Sequence, residues 1–132
     1  MEYRSLRHKI AVEQAERKAR YASFSNILKQ AREAGHSAAM ACIPAPMAVS
    51  GYGVYSEGVC GFAWIKVTKG TSSFARWLKK EKIVNHKSYS GGYDIWVSDY
   101  NQSMDRKYAY AKAFAKVLQD AGIDCYAMSR MD

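Results

Sequence analysis

The last third of the chain, from Ser90 to Asp132, has a residue pattern that only a few folds can accommodate. A glycine-rich turn is followed by a short strand-like run, a helical stripe, a glycine and a second strand-like run. β-Branched and aromatic residues make Tyr93–Tyr100 a predicted strand. Ser103 is placed to cap the following helix, and Gly122 to end it. We therefore predict a βαβ unit whose two strands are parallel and joined by a right-handed crossover.

The segments before this unit extend the same pattern. Val59–Val67 is apolar on both faces, which predicts a central strand covered above and below. A short helix, FARWLKK, follows it and leads back to the strand at Tyr93. Residues 38–50 contain Pro44 and Pro46, which favours an edge strand or an extended loop. The predicted fold class is α/β or α+β, with a small sheet of three or four strands and two βαβ crossovers.

The N-terminal segment predicts one long helix, or two consecutive ones, over residues 4–34. Its second half has an apolar stripe that ends at Gly35, whereas its first half is basic and buries little. We expect the first half either to project as an arm or to be an ordinary solvated helix. The length fits a single domain over 1–132, with 1–35 as N-terminal helix or arm and 36–132 as core.

The positive charge is concentrated in two segments. The formal net charge is +8; residues 1–34 carry eight Lys or Arg against four Glu, and residues 72–90 carry five against one. Such local excess favours a polyanionic partner, and its plain alternative is solubility.

Several classes of protein find no support in the sequence. No apolar run reaches the ~20 residues of a membrane span, and no signal peptide precedes the basic start, so we expect no membrane and a cytoplasmic location. The cysteines are widely spaced without a CxxC pair, which favours free thiols. No histidine has ligand spacing, so we predict no metal site, no cofactor and no catalytic residue. Asp99 is the single carboxylate placed like a functional one.

Two predicted strand-to-helix loops form the first candidate site. Parallel crossovers would bring TKGTSS and DYNQS to one carboxyl edge of the sheet, where helix starts attract phosphate. The alternative is that the serines only cap helices and the cations only solvate the surface. The predicted phosphate-binding residues are Lys66, Lys69, Thr71, Ser72, Ser73, Lys79, Lys80, Asn101, Gln102, Ser103, Arg106, Lys107 and Arg130.

Aromatic residues form the second candidate site. Phe62, Trp64, Trp96 and Tyr126 alternate with smaller neighbours, which makes them candidates for one sheet face. If no helix covers that face, it becomes a base-stacking platform with Trp64 and Trp96 as stacking residues. If the long helix covers it, the same side chains pack in the core.

Several runs resemble a known group of proteins. They are GVCGFAWIKV, FARWLKK, YSGGYDIWVSDYNQSMDRKYAYAKAFAKVLQDAGI and YAMSRMD, which together cover roughly residues 58–132. These runs resemble small proteins of tailed phages and related mobile elements. That group has no established activity, so the resemblance implies a phage protein in a bacterial cytoplasm and no reaction chemistry.

The sequence thus favours a non-enzymatic phage accessory protein that binds nucleic acid through phosphate contacts, weakening steeply with salt. One alternative is a host-directed inhibitor, for anti-defence or host takeover, that binds a host protein. A third is a nucleotide-binding protein. The sequence leaves DNA, RNA and oligomeric state open.

Overall fold

The computed structural model of the chain describes residues 2–49, 53–55, 57–84, 87–88 and 91–132. The fold is α+β, which confirms the fold class: a long N-terminal helix precedes a three-stranded antiparallel sheet and two more helices. A separate antiparallel pair, β1 with β2, follows the first helix. The elements are α1 (Glu2–Ala41), β1 (Met47–Val49), β2 (Gly53–Tyr55), β3 (Gly61–Val67), α2 (Ser73–Lys80), β4 (Tyr93–Trp96), α3 (Met104–Asp120) and β5 (Cys125–Met131).

The larger sheet has the order β4-β3-β5, so β3 is central as predicted. Both β4 and β5 are antiparallel to β3. They therefore run in the same direction, and α3 joins two parallel strands that are separated by β3. The predicted crossover through α2 is wrong, because Val67 at the end of β3 pairs with Tyr93 at the start of β4. A helix in the connection does not require a parallel return when that connection also contains a long loop.

Helix α3 packs on one face of this sheet. Ala63, Ile65 and Val67 alternate along β3 and are almost fully buried on the side of α3. Helix α1 packs on α3 and, less extensively, on α2 rather than on the sheet. Phe62 and Trp64 point to the other face and are only half-buried. The prediction that β3 is covered above and below is therefore wrong for one of its two faces.

Helix α1 continues through Gly35 to Ala41, so the predicted end of the helix at Gly35 is wrong. A Cβ atom at Gly35 would lie 2.9 Å from ring carbons of Tyr110 on α3. The glycine therefore permits two helices to approach closely, a role that sequence alone does not separate from a helix stop. Residues 38–41, predicted as edge strand or loop, are the last turn of this helix.

The first half of α1 projects from the domain. Residues 5–20 are all exposed, which at about 1.5 Å per residue makes an arm of roughly 24 Å. Packing begins with Tyr21 and Phe24, and Phe24 meets the ring of Phe74 on α2 edge-on at 5.3 Å. The described structure therefore agrees with an arm that is joined to a packed second half.

Candidate nucleic-acid interface

One side of the larger sheet faces away from helix α3, and we call the side chains on that side the open face. Side chains alternate along a strand, and the strand register pairs Trp64 with both Trp96 and Met128. Trp96 is 52% exposed and Tyr126 is 42% exposed. The open face consists of Phe62, Trp64 and Lys66 of β3, Asp94 and Trp96 of β4, and Tyr126, Met128 and Arg130 of β5.

Three rings of the open face contact one another. The ring centroids of Trp64 and Trp96 are 4.7 Å apart with an interplanar angle of 37°, and Phe62 meets Trp96 edge-on at 6.4 Å. These contacts hold the rings in place before any ligand arrives. The expectation that these aromatics share a sheet face is confirmed. The core-packing alternative is wrong for the described structure, because α1 lies on α3 and α2 instead.

Positive groups flank one end of the open face. The Arg130 guanidinium lies 5.5 Å from the centroid of the Phe62 ring, and Lys107 Nζ lies 5.7 Å from it. Lys107 is only 5% exposed, and its ammonium donates to the Gly61 carbonyl at 3.3 Å. Lys66 is 7% exposed, with Nζ 3.5 Å from Ser88 Oγ. Arg130 is therefore the most accessible of the three cations.

The two predicted phosphate loops lie at opposite ends of the sheet. Residues 68–73 follow the end of β3, which adjoins the starts of β4 and β5. Residues 99–103 follow β4, and Ser103 bridges Cys60 just before β3 begins. The prediction of one shared edge is wrong because β3 and β4 are antiparallel. Arg130 does lie at the same end as Ser103, because it pairs with Phe62.

At the first loop, the predicted residues contact other parts of the chain. Ser72 caps α2 by accepting from the Ala75 N–H at 3.2 Å. Lys69 Nζ lies 2.8 Å from Asp124, whose hydrogen bond and charge raise the pKa of Lys69. Thr71 is exposed and Ser73 is half-buried in the first turn of α2. The carboxylate of Asp124 beside this loop works against binding a second anion there.

The remaining cations of this group lie at the other end of α2. Lys79 and Lys80 are exposed in the last turn of that helix. Lys80 Nζ lies 5.0 Å from the centroid of the Tyr21 ring on α1. The helix thus separates both lysines from the loop with which they were grouped.

At the second loop, two predicted residues hold the fold together. Ser103 is buried, accepts from the Arg106 N–H at 3.4 Å and donates to the Glu57 carbonyl at 2.9 Å. Arg106 donates to Glu57 at 2.6 Å and to the Ala39 and Cys42 carbonyls at 2.9 and 3.1 Å. The hydrogen bond to Glu57 raises the pKa of Arg106. Arg106 therefore joins the end of α1 to the start of α3.

The exposed residues of that loop form a tight turn. Tyr100 and Asn101 both have positive φ, at 71° and 54°, and Asn101 and Gln102 are exposed. The Tyr100 hydroxyl lies 2.8 Å from His36 Nδ1 on α1. Burial, assisted by the charge of Asp99, raises the pKa of Tyr100. Asp99, singled out from the sequence, is exposed and lines a cleft beside β4.

The described cysteines and acidic residues form neither a disulfide nor a metal-binding cluster. Cys42, Cys60 and Cys125 are free thiols, and burial raises the pKa of Cys125 to about 11. The described residues contain no cluster of three or more His, Cys, Asp or Glu that could hold a metal ion. Within the same residues, no helix is both long and apolar enough to cross a membrane.

Sequence reasoning missed several residues of this surface. Met128 and the contact of Arg130 with Phe62 appear only once β5 pairs with β3, and the contact of Lys107 with Phe62 only once α3 is placed beside β3. The signal was present in CYAMSRM, where the open-face residues recur at every second position. Three cations of the cleft beside β4, Arg32, Lys82 and Lys87, come from separate segments and had no such signal.

The comparisons with known proteins do not indicate a function. No family model, curated protein or solved structure matches this chain. The resemblance to phage proteins therefore stays an expectation from the sequence.

Proposed function

We propose that this protein is a non-enzymatic accessory protein that binds single-stranded nucleic acid on its open face. One observation carries the proposal: exposed Trp96 and half-buried Trp64 form an aromatic pair on the sheet face opposite α3. Bases stack on aromatic side chains in single-strand binders, with a contribution of about 1–3 kcal/mol per base. Every base has a π-face, so such a surface tolerates many sequences.

The charge around the rings suits the backbone of the same ligand. Arg130 and Lys107 lie beside Phe62, where a phosphate would follow a stacked base. Asp94 is the only carboxylate of the open face, and it lies opposite Lys66, which is 7% exposed. The net charge of +8 also favours encounter with a polyanion.

The form of the surface favours single strands over duplexes. A duplex hides its bases in the stack, whereas a flat aromatic face needs unstacked bases. Three strands about 4.8 Å apart give a width of roughly 10 Å, and the seven residues of β3 and of β5 give a length of roughly 20 Å, whereas β4 has four residues. A face of this size suits two or three stacked bases.

The exposure of these side chains is itself informative. Large apolar side chains that lie together on a surface mark binding sites more often than single exposed residues do. Trp96 on β4 and Tyr126 and Met128 on β5 are exposed on the same sheet face, with β3 between them. A function that requires this face therefore explains why the helices leave it uncovered.

Fluorescence anisotropy of a labelled oligonucleotide tests the proposal. Trp96→Leu keeps an apolar side chain and removes the ring, so single-strand affinity should fall by about 5- to 150-fold, equivalent to 1–3 kcal/mol. Trp96→Phe should retain most of the affinity. Leu6→Ala, on the exposed arm, is the control and should have no effect. Equal binding of duplex and single strand, or an unaffected Trp96→Leu variant, would contradict the proposal.

A second candidate is a host-directed inhibitor that uses the same face for a protein partner. The exposure of Met128 beside Tyr126 on the open face favours it, because methionine side chains adapt to varied protein surfaces. A partner that is retained after nuclease treatment and at high salt, and is lost with Trp96→Leu, would support this candidate. The resemblance over residues 58–132 adds to both candidates the proposal of a phage origin.

A further inference from the structure

A cleft of about 920 Å³ runs along the outer edge of β4. Its wall on the strand side is continuous from Asp94 to Asp99, and helices α1 and α3 form part of the remainder. Buried apolar side chains, including Leu28 and Phe114, contribute to the lining. We call this space the β4 cleft. Its volume is in the range of sites that take small ligands and cofactors.

Three cations that are distant in sequence line the β4 cleft. Arg32 comes from α1, Lys82 from the residues just after α2, and Lys87 from the following loop. All three are exposed, and none is within ion-pair distance of a described carboxylate. The cleft also contains Asp94 and Asp99, so its formal charge is positive by one. This composition suits phosphate groups, which the cations neutralise, better than it suits an apolar peptide.

The β4 cleft is continuous with the open face. Trp96 and Asp94 belong to the open face and also line the cleft. A base stacked on Trp96 therefore lies at the entrance, and the next backbone phosphate is directed over the edge of β4.

The backbone at Lys82 is a further sign that a cation is required there. Lys82 has φ +59°, in the left-handed region that favours glycine. It follows α2, and its N–H donates to the Lys79 carbonyl at 3.1 Å, as glycine commonly does after a helix. Lysine at this position destabilises the fold relative to glycine, which is expected where a side chain is kept for binding.

We infer that the β4 cleft binds the phosphate groups of the nucleotides that leave the open face at Trp96. The open face and the cleft then form one continuous track, with stacking on the sheet and charge neutralisation beside it. This inference rests on the proposed single-strand binding. It assigns Arg32, Lys82 and Lys87 as phosphate contacts, in place of most of the residues predicted at the two loops.

The test compares two variants that lose the same charge. Arg32→Ala/Lys87→Ala removes two cations of the cleft, and Lys112→Ala/Lys116→Ala removes two exposed cations of α3. A labelled oligothymidylate of about eight nucleotides, within the usual site sizes, is titrated across salt concentrations. For single strands, each phosphate contact contributes about 0.7 to the slope of the logarithm of the binding constant against the logarithm of the salt concentration. The cleft variant should therefore have a slope smaller by about 1.4 and should bind on the order of 20-fold more weakly at roughly 0.1 M salt. The control should change affinity by less than about twofold.

Lys82→Gly provides an independent variant whose two effects have opposite directions. Relief of the left-handed backbone should raise the midpoint of thermal unfolding by about 3–5 °C. Loss of one phosphate contact should weaken oligonucleotide binding about fivefold at roughly 0.1 M salt. A purely structural role for Lys82 would change the melting temperature alone, and that result would count against the inference.

The outcomes separate this inference from the function on which it rests. If the parent protein does not bind the oligonucleotide, the proposed function fails, and the inference fails with it. If the parent binds and the cleft variant keeps the parental slope, the inference alone fails. Titration with adenosine monophosphate tests whether the cleft binds the phosphate of a free nucleotide instead of that of an oligonucleotide. Binding of that nucleotide that is lost in the cleft variant, while oligonucleotide binding is unchanged, would assign the cleft to free nucleotides and overturn the inference.

Discussion

The packing of α1 on α3 can be tested at Gly35, where the two helices approach each other closely. Alanine there would place a Cβ atom 2.9 Å from two ring carbons of Tyr110 and 3.0 Å from a third. In an unconstrained helix interior, glycine to alanine gains about 1 kcal/mol. Overpacking of this kind costs about 1–3 kcal/mol. We therefore expect Gly35→Ala to lower the free energy of unfolding by about 1 kcal/mol.

The same substitution should have the opposite effect once the ring is removed. In a Tyr110→Ala background, Gly35→Ala should raise the free energy of unfolding by about 1 kcal/mol, since only helix propensity remains. The interaction energy between the two sites is then about 2 kcal/mol. Tyr110→Ala alone destabilises the fold, because this ring contacts Tyr100 and Phe114 at 5.8 Å each.

Urea unfolding followed by circular dichroism at four combinations of these two positions measures the interaction energy. The sign reversal is the decisive result. If Gly35→Ala stabilises the protein equally in both backgrounds, the close packing of α1 on α3 does not require glycine at position 35. The continuation of α1 through Gly35 would then need another explanation.

Three further predictions concern the fold and its thiols. Arg106→Met should lower the free energy of unfolding more than Lys116→Met does, because the Ala39 and Cys42 carbonyls and Glu57 lose their donor, whereas the ion pair of Lys116 with Asp120 is exposed; equal effects in urea unfolding would contradict this. Burial raises the folded-state pKa of Cys125 from 9.0 to about 11, so the unfolded chain loses the thiol proton at a lower pH than the folded protein does. The free energy of unfolding should therefore fall by on the order of 2 kcal/mol as the pH rises from 9 to 11. Cys125→Ala should abolish this pH dependence, and an unchanged profile in the variant would contradict the prediction. In the native protein at pH 8, a thiol reagent should modify exposed Cys60 quickly and buried Cys125 only after unfolding, and equal rates would contradict the burial of Cys125.

Much of the local structure could be predicted from the sequence. Ser103 and Ser72 cap α3 and α2 as their positions indicate, and β3 is the central strand. Capping depends on residues three positions apart, and a central strand reveals itself by its apolar run. Such short-range signals are unaffected by the way in which the elements are assembled.

The assembly itself could not be predicted in the same way. Strand direction depends on which ends meet, and the long connection from Val67 to Tyr93 permits either a parallel or an antiparallel return. The antiparallel return moved the two predicted phosphate loops to opposite ends of the sheet. It also left the other sheet face uncovered, so the aromatic platform, rather than the phosphate edge, became the candidate site. Gly35 had two valid interpretations, and only the position of Tyr110 decides between them.

The three tryptophans provide the most direct test of the open face, because each has one indole N–H signal in a proton–nitrogen correlation spectrum. Trp64 and Trp96 lie on the open face, whereas Trp77 is buried in the core and is an internal reference. On saturation with a single-stranded oligonucleotide, the signals of Trp64 and Trp96 should shift and that of Trp77 should remain in place. If the oligonucleotide binds and the Trp64 and Trp96 signals do not move, the open face is not the nucleic-acid interface.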